Sequence, residues 1–437
     1  MNKYIILSIL ILGITAKSWA QAVLSKSDAV SIALENNFDI RAAINDQEVA
    51  ENNASILNSG YLPTVTGTAA TNYSISNSNL TFSDGSDTTI NGANSYGTNG
   101  QVRLDYTVFD GFGRMYNYKI LQMNYDLSEL QARLVMENTL INLFTGYYEI
   151  ARLTENEQTQ KETLDISRER LQRAKYSFDY GQNTNLDVLN AEVDYNTDSI
   201  NYLTITQQLR NQKRTLNLMM GRDVRIEFEV DTTLTFDDIL YSTIEEHAKV
   251  YNATVLQEKN RLTSSQYSIQ VAKSSIIPKI GINGSYGHNY NHNAPGNFLS
   301  ELNSTTGTVG ASLSWNIFDG GKSNIQRQNS RLAYENQKIS LERAELTLET
   351  QLQNAWTLYQ TALFVMQAES KNLDTNQLNF NRSKEQYELG QITSIEFRQA
   401  QFNLLTASLN FNQAKYSAKN AELALLQLSG SLLNASF

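Results

Sequence analysis

The chain has 437 residues, is 41% hydrophobic and 18% charged, and carries a net charge of −10 with no cysteine. The acidity leaves no basic stripe to meet phosphates, which argues against nucleic acid as a partner. Without cysteine, disulfides, thiolate nucleophiles and thiolate metal sites are excluded; length alone suggests two or three domains, unless the chain is a rod.

The first twenty residues read as an export signal. Lys3 supplies the positive start, Ile5 to Ile14 the apolar run, and Ser18-Trp19-Ala20 a small-x-small cleavage site. That run is too short to span a membrane, which takes ~20 residues, so the mature chain is expected to start near Gln21. Residues from about Ser25 to Ser59 are predicted as one helix, with Ser25 as cap and Asp28 three positions on. Pro63 ends it. The period then falls from 3.6 to 2. Val65, Gly67, Ala69, Thr71, Tyr73 and Ile75 alternate with Thr64, Thr66, Thr68, Asn72, Ser74 and Ser76. A Ser/Asn/Asp/Gly stretch from Asn77 to Asn99 is expected to be a long loop. A second alternating run sets Val102, Leu104, Tyr106 and Val108 against Gln101, Arg103, Asp105 and Thr107, and closes on Phe109-Asp110-Gly111.

From Gly113 to Tyr180 no proline occurs, and Ile120, Leu127, Leu130, Leu134, Ile141, Phe144, Tyr147, Ile150 and Leu153 recur at helical spacing. One helix of roughly 68 residues reaches ~100 Å. A stripe held over that many turns predicts a coiled-coil rod rather than a globular core helix. Gly181 marks its end. A return helix from about Thr184 to Met220 follows, then a short strand and connector from Gly221 to Phe236.

The plan then repeats. Helical residues from Asp237 to Ser275 lead to Pro278. A third alternating run places Ile280, Ile282, Tyr286 and Tyr290 opposite Lys279, Asn283, Ser285 and Asn289. A loop of about 293–306 carries Pro295. The fourth run has Val309, Ala311, Leu313, Trp315 and Ile317 against Thr308, Ser312, Ser314 and Asn316. Phe318-Asp319-Gly320 and Gly390 each lie 209 positions after Phe109-Asp110-Gly111 and Gly181, which favours duplication over coincidence. A second long helix ends at Tyr387-Glu388-Leu389-Gly390, and the last helix spans about Ser394 to Leu428. The expected organisation is a signal at 1–20, a first repeat at 21–230 and a second at 231–437, with strands at about 62–77, 100–109, 278–290 and 308–318.

Each alternating run is about 10–12 residues, the span of a tilted transmembrane strand. Four strands cannot close a barrel, and an open edge in lipid is not tolerated. Three copies pooling their strands give an even barrel of ~12, whereas two give eight, whose bore side chains fill. Tyr106, Tyr286, Tyr290 and Trp315 fit interface aromatics. A water-facing sheet packed on the helices is the alternative. The fold class expected is therefore mainly α with transmembrane β.

Signal, helix, two strands, very long helix, tip turn and return helix, all duplicated, resemble the TolC-like outer-membrane factors over essentially the whole mature chain. Phe109-Asp110-Gly111 and Phe318-Asp319-Gly320-Gly321 look like the strand-to-helix junctions. Tyr180-Gly181 through Leu186-Asp187-Val188-Leu189-Asn190-Ala191, and Tyr387-Glu388-Leu389-Gly390 through Glu396, look like the periplasmic tips. Leu62-Pro63 and Ile277-Pro278 look like the entry to each strand hairpin. The resemblance implies a homotrimeric channel-tunnel, with a barrel in outer-membrane lipid of a Gram-negative bacterium and a helical tunnel through the periplasm. It also implies an equatorial belt from about 221–250 plus the chain ends. Cargo passes passively from periplasm to exterior, driven by an inner-membrane pump (of the RND, ABC or a similar class) through a periplasmic adaptor, or membrane fusion protein, in efflux or type I secretion. No cofactor is implied.

By the same resemblance, Asp187, Asn190, Tyr387, Glu396 and Gln399 are candidates for the pore constriction at the tip. Asp187 and Glu396 stand six residues after their glycines, and Asn190 and Gln399 nine after. Thr393-Ser394-Ile395-Glu396 is also a capping box and Thr184-Asn185-Leu186-Asp187 a near version, so capping explains both acids as well; Tyr387 fits a packing aromatic too. The turns Gly181, Gln182, Asn183, Thr184 and Gly390, Gln391, Ile392, Thr393 are the adaptor-contact candidates. The histidines His247, His288 and His292 make no metal site: a strand stretches four residues over ~13 Å. Gly111-x-Gly113 lacks the context of a phosphate loop. An enzyme is the weakest reading. A non-pore coiled-coil protein of the envelope is the runner-up, and a secreted helical pore-former is a third.

Overall fold

A computed structural model describes residues 23–182, 184–236, 238–294 and 299–434. The export signal, Asn183, Asp237 and Pro295 lie outside the described residues. Two compact units emerge: one takes the chain up to Asn45, Leu130–Leu256 and everything from Ala344, the other Asp46–Glu129 and Gln257–Arg343.

The first unit is helical. Strand β1 (Val23–Leu24) pairs in parallel with β4 (Glu229–Val230). Helix α1 (Lys26–Asn36) starts where the Ser25 hydroxyl accepts the Asp28 backbone N–H at 3.1 Å. Helix α2 (Phe38–Asn53) begins in this unit. The single helix expected over 25–59 is thus two, followed by a 3-10 turn at Ile56–Asn58. Asn37 makes the break: its side-chain Oδ1 accepts the N–H groups of Asp39 and Ile40, and its side-chain Nδ2 donates to Met219 O at 2.7 Å. An asparagine that caps a new helix competes locally with continuing the old one. The same happens between α5 (Tyr241–Tyr251) and α6 (Ala253–Ser274), again expected as one helix. Asn252 caps α6 and donates to Leu428 O at 3.0 Å.

Helices α3 (Gly113–Asp179) and α7 (Lys322–Glu388) have 67 residues each, and the return helices α4 (Asn185–Met219) and α8 (Ser394–Leu428) have 35 each. In the first unit, the core gathers Leu140, Leu143, Phe144, Tyr147, Tyr148 and Ile150 of α3 with Leu216, Phe228, Tyr416 and Leu423. The Tyr147 hydroxyl donates to Leu24 O at 2.8 Å and accepts Asp231 N–H at 3.0 Å, so one buried side chain ties β1 and the chain after β4 to α3. Gly221 closes the end of α4 at φ 66°; a Cβ there would meet Asn36 O at 2.2 Å.

The second unit is a four-stranded antiparallel sheet in the order β2 (Thr64–Thr81), β3 (Asp87–Phe109), β5 (Lys279–His292), β6 (Glu301–Ser314), with helical segments. The strand bounds correct the sequence expectation. The stretch from Asn77 to Asn99 is mostly strand rather than loop: β2 and β3 form one ribbon turning at Phe82–Ser86, with Thr81 opposite Asp87. Its Ser, Thr and Asn side chains hide the strand from a hydropathy pattern, but the cross-strand ladder satisfies the backbone regardless. Likewise β6 starts at Glu301, within the expected loop, and ends at Ser314, so Trp315 to Phe318 lie past the strand. Trp315 instead donates its indole N–H to Ile276 O at 3.2 Å.

The register sorts the sheet into two faces. Thr64, Asp105, Asn283 and Gly310 lie in one row; Thr66, Arg103, Ser285 and Thr308 in the next row of that face; Thr68, Gln101, Gly287 and Thr306 in a third. The intervening rows present Val65, Leu104 and Val309, then Val102 and Tyr286, to the other side. Here the apolar face is not covered: Val309 is 88% exposed and Tyr286 67%. Both edge strands, β2 and β6, are unpaired on their outer sides in the single chain.

At the strand-to-helix junctions, Asp110 accepts the Arg114 N–H at 2.8 Å and Asp319 the Ser323 N–H at 2.9 Å. Gly111, Phe112, Gly320 and Gly321 all hold positive φ. The Phe-Asp-Gly sequences thus work as turn-and-cap elements at the starts of α3 and α7. Among the described residues, no helix is long and apolar enough to cross a membrane.

Candidate functional site at the helix-hairpin turns

The two turns are built alike. Gly181 and Gly390 both sit at φ 73°, where a side chain is disfavoured. Gln182 N–H reaches back to Ser177 O and Gln391 N–H to Gln386 O, both at 2.8 Å. This is the six-to-one bond of a glycine-terminated helix. A Cβ on either glycine meets nothing within 4 Å of the chain; backbone conformation, not crowding, selects glycine.

The acids then start the return helices. Asp187 accepts the Thr184 backbone N–H at 3.0 Å and its hydroxyl at 2.8 Å. Glu396 accepts the Thr393 N–H and hydroxyl, both at 2.8 Å, and Thr393 Oγ1 accepts Glu396 N–H at 3.2 Å. Those bonds, the backbone N–H first, hold the Glu396 carboxyl below the usual glutamate range. Asn190 and Gln399 are exposed, and Gln399 donates to Asn403 at 2.8 Å. Gln182, Gln391 and Thr393 are exposed and Ile392 half-buried. Tyr387 is placed by rings: it stacks on Phe397 at 4.7 Å and 8°, Phe397 stacks in turn on Phe380, and the Arg173 guanidinium lies 4.8 Å from the Tyr387 centroid.

Beside these residues runs a polar cluster that the sequence pattern did not single out. Arg398 of α8 makes a two-pronged contact with Asp198 of α4, at 2.7 and 2.9 Å. Asp198 is 1% exposed and also accepts the Ser167 hydroxyl of α3. Gln401 donates to Thr163 O at 2.9 Å and to Ser167 Oγ at 3.2 Å. Arg170, also of α3, holds Asp194 at 3.1 Å and the Ser394 hydroxyl at 3.0 Å, and Arg173 donates to Glu388 O at 3.0 Å. The hairpin α3/α4 is therefore fastened to the hairpin α7/α8 by alternating Arg and Asp. The signal was present as helical spacing: Asp194 and Asp198, or Ser394, Arg398 and Gln401, each fall on one stripe. Among the described residues, no group of three or more acidic or histidine side chains is placed to hold a metal.

The arrangement is a helical scaffold with uncharged glycine turns and one carboxylate in the first turn of each return helix. A family model described as outer membrane efflux protein matches residues 29–222 and 246–431. The outer membrane efflux protein BepC of Brucella suis is 21% identical over 427 residues, covering 94% of this chain and 87% of its own. The outer membrane protein TolC of Escherichia coli is 20% identical over 357 residues, 78% of this chain and 71% of its own. Among solved structures, the Campylobacter jejuni CmeC outer membrane channel aligns with a TM-score of 0.78 at 18% identity, over 93% of this chain and 86% of that one. The Vibrio cholerae outer membrane protein VceC aligns with a TM-score of 0.73 at 14% identity, over 93% and 96%. The chain shares their fold, and with a family match over most of its length it belongs to the outer membrane efflux protein family.

Proposed function

We propose that the protein is the outer-membrane duct of a tripartite efflux or type I secretion assembly. Three copies pool their sheets into a barrel of ~12 strands, and cargo passes through it passively. One observation carries this reading: the sheet has an uncovered apolar face, an opposite face of hydroxyls and amides, and two open edges. In water such a sheet is an aggregation hazard. In lipid it is one third of a wall, complete once β6 of each copy meets β2 of the next and the polar face turns to a wet bore. The matched lengths of α3 with α7 and of α4 with α8 support an origin by duplication and a helical stem with pseudo-repeated walls. A non-pore scaffold gives no reason for the sheet.

At the stem tip, Asp187, Asn190, Tyr387, Glu396 and Gln399 surround the mouth. The glycine turns at 181–184 and 390–393 face the periplasmic adaptor, which links to the inner-membrane pump. The test takes outer-membrane fractions and purified material together. Trimers that persist on unboiled gels and conduct ions across a planar bilayer are expected. Because the chain has no native cysteine, single-cysteine variants at Gln182 and Gln391 should crosslink an adaptor in cells. A monomer in detergent that conducts nothing overturns the duct; a duct that conducts but is never captured at either turn overturns the adaptor assignment alone.

A further inference from the structure

Within the polar face of the sheet, the rows from Thr64–Asp105 up to Asn72–Gly97 are filled by Thr, Ser, Asn, Gln, Gly, Ala and Leu, apart from two charged side chains. These are Arg103 and Asp105, two residues apart on β3 and so on the same side. Arg103 Nε donates to Asp105 Oδ2 at 2.7 Å and its Nη2 to Oδ1 at 2.8 Å, a parallel two-point contact. The other ionisable group on this face is Lys279, at the first residue of β5. Both members of the pair are about half exposed. An exposed pair adds little stability, so fold stability does not account for two charges in rows whose other side chains are all neutral.

We propose that the Arg103–Asp105 pair sets the charge selectivity of the strand-lined bore. It is a self-neutralised belt, contributing donors and acceptors to the wall without net charge, so cargo of either sign passes it. The inference rests on the duct reading, which turns this face inward. Twelve strands ~4.8 Å apart and tilted ~40° put the wall about 12 Å from the axis. That is close to the Debye length of ~10 Å at 0.1 M salt and several times the ~3 Å at 1 M. Opposite charges in contact nearly cancel at such a distance. Three unpaired like charges do not: Coulomb's law in water with that screening gives about a threefold bias between cations and anions on the axis at 0.1 M, and almost none at 1 M.

The experiment measures reversal potentials of full-length trimers in planar bilayers under a KCl gradient. Every variant carries Asp187→Asn, Glu396→Gln and Lys279→Gln, which remove the tip carboxylates and the other charge on this face as competing sources of selectivity. Asp105→Asn leaves Arg103 unpaired and is expected to raise the anion-to-cation permeability ratio about threefold at 0.1 M. Arg103→Gln is expected to lower it by a similar factor. The double variant Arg103→Gln/Asp105→Asn is expected to return to the parent value, and all differences to vanish at 1 M. Conducting channels whose ratio is the same in both single variants overturn the proposal while leaving the duct intact. So does a double variant that differs from the parent, because the effect then belongs to barrel geometry rather than charge. Trimers that never conduct overturn the duct and this proposal together.

Discussion

The helical core and the strand sheet of this chain stand in opposite relations to solvent. Around Tyr147 the apolar side chains are enclosed: Leu143, Phe144, Tyr148 and Ile150 are essentially inaccessible. On the sheet, side chains of the same kind lie open, with Val309, Leu313 and Tyr286 each more than half exposed. The first region completes its own burial, while the second leaves its apolar side chains open in the single chain, to be covered by lipid on the duct proposal. Apolar residues at the right period therefore announce a face but not what covers it. The covering is read from topology: open edges and a polar opposite face for the sheet, a closed cluster for the helices.

That contrast is easiest to break with one substitution in each region. Phe144→Ala removes a fully buried ring and should cost about 3–5 kcal/mol, lowering the denaturant midpoint of the helical signal followed by circular dichroism. Val309→Lys should leave helical content in detergent unchanged. In the membrane it places a charge on the lipid side, with a cost of about 2–4 kcal/mol near the bilayer centre, and heat-modifiable trimers should be lost from outer-membrane fractions. If Val309→Lys trimers accumulate normally, that face does not meet lipid and the contrast fails.

A second pair of variants probes whether the fastening between the two helix hairpins behaves like the enclosed core or like an exposed surface. Arg398→Met leaves Asp198 buried and without its guanidinium partner, a loss of about 3–5 kcal/mol for a broken buried pair. Arg398→Met combined with Asp198→Leu replaces the whole pair by apolar groups and should recover most of that loss. Urea titrations of the three proteins separate the cases. Equal midpoints for Arg398→Met and the parent would mean that water, not Arg398, satisfies Asp198.

Much of the fold was legible in the amino-acid order because the long helices repeat one stripe for many turns and the chain has only three prolines, of which the two described, Pro63 and Pro278, lie outside the helices. The return helices were fixed by glycine and threonine at their starts, as α4 and α8 bear out. The helix breaks were not legible: Asn37 and Asn252 act through side-chain bonds to the ends of α4 and α8, partners more than 170 residues away. The ribbon over 77–99 was missed because pairing, not hydropathy, holds it. At the helix-hairpin turns, the caps of Asp187 and Glu396 followed from a four-residue pattern. The Arg398–Asp198 contact did not, since nothing in one helix names the stripe that faces it on another.

The smallest effect concerns the two turns, which share a backbone design, and it separates a capping role for Glu396 from a role in the mouth. Glu396 is held ionised by the Thr393 N–H and hydroxyl, so its pKa is lowered in the folded state. A lowered carboxylate pKa contributes stability above the ordinary glutamate value of about 4.3, and that contribution is lost as pH falls through the lower folded value. Hydrogen-exchange protection at the first turn of α8 should therefore be constant near neutrality and fall on acidification in the parent. Glu396→Gln keeps an acceptor for the Thr393 N–H and should keep the protection while abolishing its acid dependence; Glu396→Ala should lose protection at every pH. Ion selectivity in bilayers follows charge instead, so Gln and Ala should shift it equally if the side chain faces the mouth. A selectivity that tracks protection rather than charge would assign Glu396 to the helix start alone.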